Sequence, residues 1–524
     1  MNAQQKRAFT ALILVFFFWG FVASGNDILI PVFRKALDLS QTQSQMVSFA
    51  FYVAYTVGSI AYVLISKIRK KDILASIGYR KGLALGLAIS AVGTGMFYPA
   101  AQHYVKAETH YQEELVAYYD RMTMMHTGQL TLDFYAQNEQ TKIVAQNDFK
   151  SAKNTAFVLF ISGLFIVGLG FSLQQTVANP LAIVLGNPAE GNNRLSLAGG
   201  INNIGTTIAP LIVSFALFGK VGGDNVLDVG AVKTPYLILG LAFLAAAYFF
   251  LKSSIPDQIE TNEEHAKVDA NKSVFKYPQL VLGMIAIFVY VGVEVSTASN
   301  LPEFMKQKLN IAESDIAPYV SLFWASLMIG RWTSAGMVFA KSDRQKMLFR
   351  WVLPYGAFMV FLISNAIAGR DVTVFLPYAG VIALLVLADY LSKGNPSKQL
   401  VIYSSGGILA LAVGIFGEGM TSAYAFISVG LFCSTLWPCI YTLAISGLGA
   451  KTNEASGYLI MMIMGGGFIS VSQGALAEVS SIGIQTSYWV GVACFAYLAF
   501  YGFRAAQILK KQGLSLETVQ GGGH

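Results

Sequence analysis

Residues 9–33 read FTALILVFFFWGFVASGNDILIPVF, twenty-five positions in which Asp27 is the only charge. A helix crosses a bilayer with about 20 mostly apolar residues, so this run predicts a spanning helix. An ionised carboxylate inside such a helix costs at least about 2.5–3.5 kcal/mol even on lenient insertion scales. Asp27 is therefore expected to be kept for function.

Working outward, further runs of this kind lie near 45–66, 82–101, 155–179, 195–218, 235–251, 278–301, 316–340, 349–367, 373–391, 400–417, 421–447, 455–478 and 485–507. With the first they make fourteen. The 524 residues are 54% hydrophobic and 12% charged, where soluble chains are roughly a quarter charged. A water-facing domain cannot hold so many helices that are apolar all round, and barrel strands would be short and alternating. The chain is predicted to be an all-α polytopic membrane protein with fourteen transmembrane helices. MNAQQKRA precedes the first run, and no small-residue cleavage site follows it; a spanning helix is expected there, not a removed signal.

Lys and Arg gather in loops that fall on one side when both termini are placed in the cytoplasm of a bacterial inner membrane, as in ISKIRKKD (65–72) and KSDRQK (341–346). That asymmetry fixes orientation. It accounts for the net charge of +7 without nucleic acid, which no aromatic-interleaved basic patch suggests. Cys433, Cys439 and Cys494 lie in apolar runs and read as small core residues. No zinc-ligand spacing, HExxH, GxSxG or nucleotide motif occurs. No metal, cofactor or enzymatic activity is expected.

An internal repeat is legible. Superposing Pro31 on Pro302 brings Phe33 onto Phe304 and Trp19 onto Tyr290, and SLQQTVANPLAIVLG (172–186) pairs with LFCSTLWPCIYTLAI (431–445) through Pro180 and Pro438. Duplicated halves are a transporter signature. The halves are expected at 1–251 and 277–511, joined by a charged cytoplasmic linker at 252–276. A polar insertion at 102–153 is expected to fold outside the membrane as short helices.

The motifs GNDILIP, SLQQTVANP, NRLSLAGGINNIG, YVGVEVSTASN, STLWPCIYTLAISGLG, GYLIMMIMGGGFIS and GIQTSYWVGVACFAYLAFYG together resemble the fucose–galactose–glucose:proton symporter family of the major facilitator superfamily. The resemblance runs from residue 9 to about 507. It implies a major facilitator fold of two six-helix bundles, a central sugar site and alternating access. The family has twelve helices; motif order makes 349–367 and 373–391 an added pair in the second half.

The resemblance implies that Asp27 couples a proton, and burial, which disfavours the charged form, suits a carboxyl to that task. Sodium remains open as the coupling ion. Where the fucose-transporting branch has an acid, this chain has Gln175, and the YVGVEV of the glucose and galactose branch supplies Glu294. Glu294 is expected to bind sugar hydroxyls and to share protonation with Asp27. Trp19 is expected to stack on a pyranose, with Asn26, Gln174, Gln175, Asn179, Asn202, Asn203, Asn300 and Trp437 as further sugar-binding candidates; Tyr441 and Gln473 are weaker ones. Arg331 is expected to serve a gate by pairing with an acid or a carbonyl. The expected function is proton-coupled import of a neutral hexose by a monomer in the lipid bilayer. An N-acetylated amino sugar or other sugar derivative, and a non-transporting sugar sensor, are the alternatives.

Overall fold

The computed structural model describes residues 3–69, 77–126, 132–184, 191–218, 229–253, 273–339, 342–392, 394–448 and 452–513. All regular structure among them is helical. In chain order the first half holds α1 (Ala3–Leu37), α2 (Gln41–Arg69), α3 (Tyr79–Gly95), α4 (Phe97–His126), α5 (Leu132–Val184), α6 (Gly191–Phe218) and α7 (Lys233–Lys252). The second half holds α8 (Pro278–Leu309), α9 (Ala317–Phe339), α10 (Asp343–Ile367), α11 (Tyr378–Ser392) and α12 (Pro396–Phe416). It ends with α13 (Gly419–Cys433), α14 (Leu436–Ile445), α15 (Thr452–Met461), α16 (Gly465–Glu478), the four-residue α17 (Gly483–Thr486) and α18 (Trp489–Lys511).

Eleven helical stretches among the described residues are long and apolar enough to cross a membrane. The three remaining apolar runs of the sequence fall within α2, α6 and α9. Cap chemistry sets several boundaries: Asn395 accepts from the backbone N–H groups of Ser397 and Lys398 at 3.1 and 3.0 Å, ahead of Pro396 at the first position of α12. The connection from 254 to 272 lies outside the described residues.

One expectation is overturned. The polar segment 102–153 does not form separate short helices; it continues α4 and begins α5. At about 1.5 Å per residue, the 53 residues of α5 far exceed a bilayer core of about 30 Å. The first part of α5 and the second part of α4 therefore stand clear as a helical hairpin. Arg121 Nε donates to Asn138 Oδ1 at 2.6 Å, Asn138 Nδ2 to the Tyr118 carbonyl at 3.3 Å, and Tyr111 stacks on Phe149 with centroids 5.0 Å apart.

Packing repeats between the halves. In the first, α1 lies against α6, α2 against α5, and α3 against both α5 and α7. In the second, α8 lies against α16, α9 against α13, and α12 against both α13 and α18. The contacts between halves also exchange, α2 with α16 and α6 with α9. Helices α10 and α11 have no counterpart in this scheme; α10 packs on α9, and α11 on α12.

Lipid supplies no hydrophobic drive between helices, so close backbone approach carries the packing. A Cβ on Gly20 would lie 2.0 Å from the Asn202 carbonyl oxygen, and one on Gly205 2.3 Å from that of Phe17. The α8–α16 seam repeats this, with a Cβ on Gly465 falling 1.9 Å from the Phe288 oxygen.

Call the end where α1 leads into α2 distal, and the opposite end proximal. At the distal end the halves are tied. Arg34 pairs with Glu303, and Gln41 Nε2 donates to Asn300 Oδ1 at 2.8 Å. Ser299 Oγ donates to Gln45 Oε1 at 2.8 Å, and Glu478 accepts from the Thr42 N–H.

Candidate functional site

The centre of the site grows from a broken helix. Pro438 has no N–H, so the carbonyl four residues earlier, that of Ser434, has no intrahelical partner. The chain breaks there, between α13 and α14. Arg331 of α9 answers the deficit: its Nε donates to the Ser434 oxygen at 3.1 Å. Its Nη1 then reaches across to the other half and donates to Asn203 Oδ1 of α6 at 3.2 Å. One guanidinium thus bridges a freed carbonyl and the opposing half, as its planar fork allows.

Glu294 on α8 faces the same guanidinium and the Tyr290 hydroxyl one turn earlier. Its residue is partly exposed, yet its Oε2 is buried and without a hydrogen-bond partner among the described residues. The Tyr290 hydroxyl, Asn203 Nδ2 and Thr297 Oγ1 are likewise buried and unpartnered. The Tyr290 ring lies 6.1 Å from that of Trp437, which is partly exposed. Such groups are costly to bury unpaired. Together they offer an acid oxygen, an amide donor and hydroxyls beside an aromatic face. Such a set suits a hydroxyl-bearing ligand.

The first half contributes a second polar group. Trp19 Nε1 donates to Gln174 Oε1 at 3.0 Å, and Gln174 Nε2 to Ser90 Oγ at 3.0 Å. Both residues are buried, and the Trp19 ring packs on Phe16 with centroids 4.4 Å apart. In this conformation they face each other more than an open chamber. Gln175 is more accessible, donating to the Tyr55 hydroxyl at 3.2 Å. Asn202 Nδ2 donates to the Phe16 carbonyl at 2.8 Å and so belongs to the α1–α6 seam. Asn300, fully buried, has its amide spent on Gln41 and on the Ser296 carbonyl, so it sits in the distal tie rather than with Glu294.

Asn26, Asp27 and Asn179 lie on helical backbone in α1 and α5, but their side chains are outside the described residues. Among the expected residues, then, Glu294, Arg331, Asn203 and Trp437 come together. Tyr290 and the Ser434 carbonyl join them unforeseen. Both had signals: Tyr290 stands one turn before Glu294, and Ser434 four before Pro438.

A model of the Major Facilitator Superfamily matches residues 149–374. The glucose/galactose transporter of Brucella abortus biovar 1 is 29% identical over 498 residues, covering 94% of this chain and 93% of that protein. The L-fucose-proton symporter of Escherichia coli K12 is 22% identical over 525 residues, covering 95% and 94%. Among solved structures, that of the fucose:proton symporter of Escherichia coli superposes with a TM-score of 0.57 at 21% identity, over 96% of this chain and 99% of that one.

Proposed function

We propose that the chain is a member of the major facilitator superfamily, a reading its partial family match and its fold support, and that it is a secondary transporter, not an enzyme, importing a neutral hexose with a proton. The observation that carries this reading is the unpartnered polar cluster of Glu294, Tyr290 and Asn203 around Arg331, within spanning helices where the halves meet. Hydroxyls of a pyranose satisfy such groups, and Trp437 offers its ring to the apolar face. Relatives named for glucose, galactose and fucose support the substrate class.

Two six-helix bundles, at 1–251 and 277–511, rock about this cluster, with α10 and α11 as an added pair. Positive-inside asymmetry puts both termini in the cytoplasm of a bacterial inner membrane. The distal end then faces outward, and the hairpin of α4 and α5 stands outside the cell membrane. The protein works as a monomer in lipid. Asp27 carries the coupling proton and Glu294 engages sugar hydroxyls while sharing protonation with it. Asn26, Asn179 and Gln175 complete the sugar contacts from the first bundle.

Purified protein in proteoliposomes tests this. Labelled glucose, galactose and fucose are offered with and without an inward proton gradient, in sodium-free buffer. Gradient-driven accumulation is expected for at least one sugar, Asp27→Asn retaining only downhill exchange and Glu294→Gln losing sugar affinity. Absence of both sugar uptake and sugar-dependent proton movement sinks the proposal; accumulation only with sodium replaces the coupling ion.

A further inference from the structure

The added pair of helices carries ionisable groups that the sugar site does not use. Arg350 of α10 and Asp389 of α11 lie inside or beside candidate spans, where charge is expensive and is kept for a reason. Arg350 Nε donates to Asp389 Oδ2 at 2.8 Å, with Asp389 only 2% exposed. The guanidinium also lies over the Tyr390 ring, 5.6 Å from its centroid. If the pair served only to fasten α10 to α11, its polar contacts would end there.

They continue inward. Gln399 of α12 donates through Nε2 to the other carboxylate oxygen, Asp389 Oδ1, at 3.4 Å. The amide is thereby oriented, with Oε1 facing α14, where it accepts from Cys439 Sγ at 3.5 Å. Cys439 directly follows Pro438 and stands two residues after Trp437. Beside this chain of contacts lie the buried Tyr403 hydroxyl and Thr435 Oγ1, with Tyr403 interacting with both Gln399 and Thr435. Because the break at Ser434 and Thr435 uncouples α14 from α13, the orientation of α14 must be set by lateral contacts. Packing along α8 and α12 supplies most of them, Arg331 holds the Ser434 carbonyl just ahead of α14, and Gln399 of α12 adds a polar contact to its Cys439.

We propose that Asp389, held by Arg350, is a positioning residue for the sugar site: through Gln399 and Cys439 it fixes the rotation of α14 and hence the placement of Trp437. The added helix pair is on this account a brace for the broken helix, outside the twelve helices that form the two bundles. This rests on the transport reading only for its kinetic readout.

Two variants separate the brace from simple packing. Gln399→Leu cuts the link and leaves the ion pair intact. Arg350→Met with Asp389→Leu removes both charges together, which spares either from being left buried alone. In proteoliposomes each is expected to raise the KM for sugar about fivefold with kcat changed less than twofold, and combining them is expected to add nothing further. A second readout needs no sugar. In full-length protein with Cys433→Ser and Cys494→Ser, the rate at which a small methanethiosulfonate labels Cys439 is expected to rise about tenfold in both variants. A packing role for the pair lowers the thermal midpoint without moving KM or Cys439 labelling. Unchanged labelling and KM within twofold of the parent overturn the proposal. If the parent itself takes up no sugar, the transport reading fails, and labelling alone decides this one.

Discussion

Arg331 shows how a single side chain is recruited by a backbone defect. Position 438 removes a donor, Ser434 is left with an oxygen to satisfy, and a guanidinium on the neighbouring helix fills the gap. The defect was legible from Pro438 alone, and so was the need for a donor; that the donor also grips Asn203 of the other half was not, because pairing across 128 residues is decided by tertiary packing. The same limit applies to Asn300 and Trp19, whose residue types suit sugar binding but whose amide and indole groups are taken up by neighbours here. A double-mutant cycle tests the carbonyl role. Arg331→Met is expected to cost about 1–3 kcal/mol of stability, the usual penalty for stranding a buried polar group. Pro438→Ala restores an N–H for Ser434, so the double variant is expected to recover at least half of that loss. Thermal unfolding in detergent reads both. Additive effects within about 0.5 kcal/mol mean that Arg331 does not serve this carbonyl.

Elements were easier to foresee than their junctions. Apolar runs of 20 residues have one solution in lipid, because every backbone group must be paired within the segment, and the predicted runs are helical, though those at 82–101, 421–447, 455–478 and 485–507 are each divided between two helices. The hairpin of α4 and α5 escaped prediction for a physical reason: a helix pairs its own backbone and is indifferent to whether lipid or water surrounds it, so the polarity change near residue 102 is not a helix boundary. Glycines divide in the same way into those that hold a seam and those that do not. Gly465→Ala forces a Cβ onto the Phe288 carbonyl, and backbone cannot yield as a flexible side chain does; a loss of about 1–3 kcal/mol is expected. Gly356 of α10 has nothing within 4 Å of an added Cβ. Gly356→Ala is expected to stabilise by about 0.5–1 kcal/mol, the cost that glycine imposes in a helix interior. Equal responses of the two variants in a thermal shift assay contradict this account of the α8–α16 seam.

At the scale of the whole molecule, the repeated packing of the halves places α2–α16 and α6–α9 as exchangeable contacts, and the distal end is where polar ties between halves concentrate among the described residues. A transporter that works by rocking must break these ties in each cycle, so their strength sets how the population divides between conformers. Arg34 is central to them, since it pairs with Glu303 and is also acted on by Glu478, both from the second half. Glu303→Gln keeps the side-chain shape and removes one charge. Each 1.4 kcal/mol lost is a tenfold change in the closed-to-open ratio, and a partly buried ion pair of this kind holds about that much. Spin labels at Gln43 and Ser480, both exposed and on opposite halves at the distal end, read the separation directly. In Glu303→Gln, and in Gln41→Ala combined with Asn300→Ala, a longer-distance population is expected to grow about tenfold without sugar. Glu313→Gln is the control: its partner Lys306, at 2.6 Å, belongs to the same half, so the distance distribution should stay as in the parent. If all three variants give one unchanged distribution, the distal ties do not hold the molecule closed, and the resting balance is governed by contacts at the proximal end.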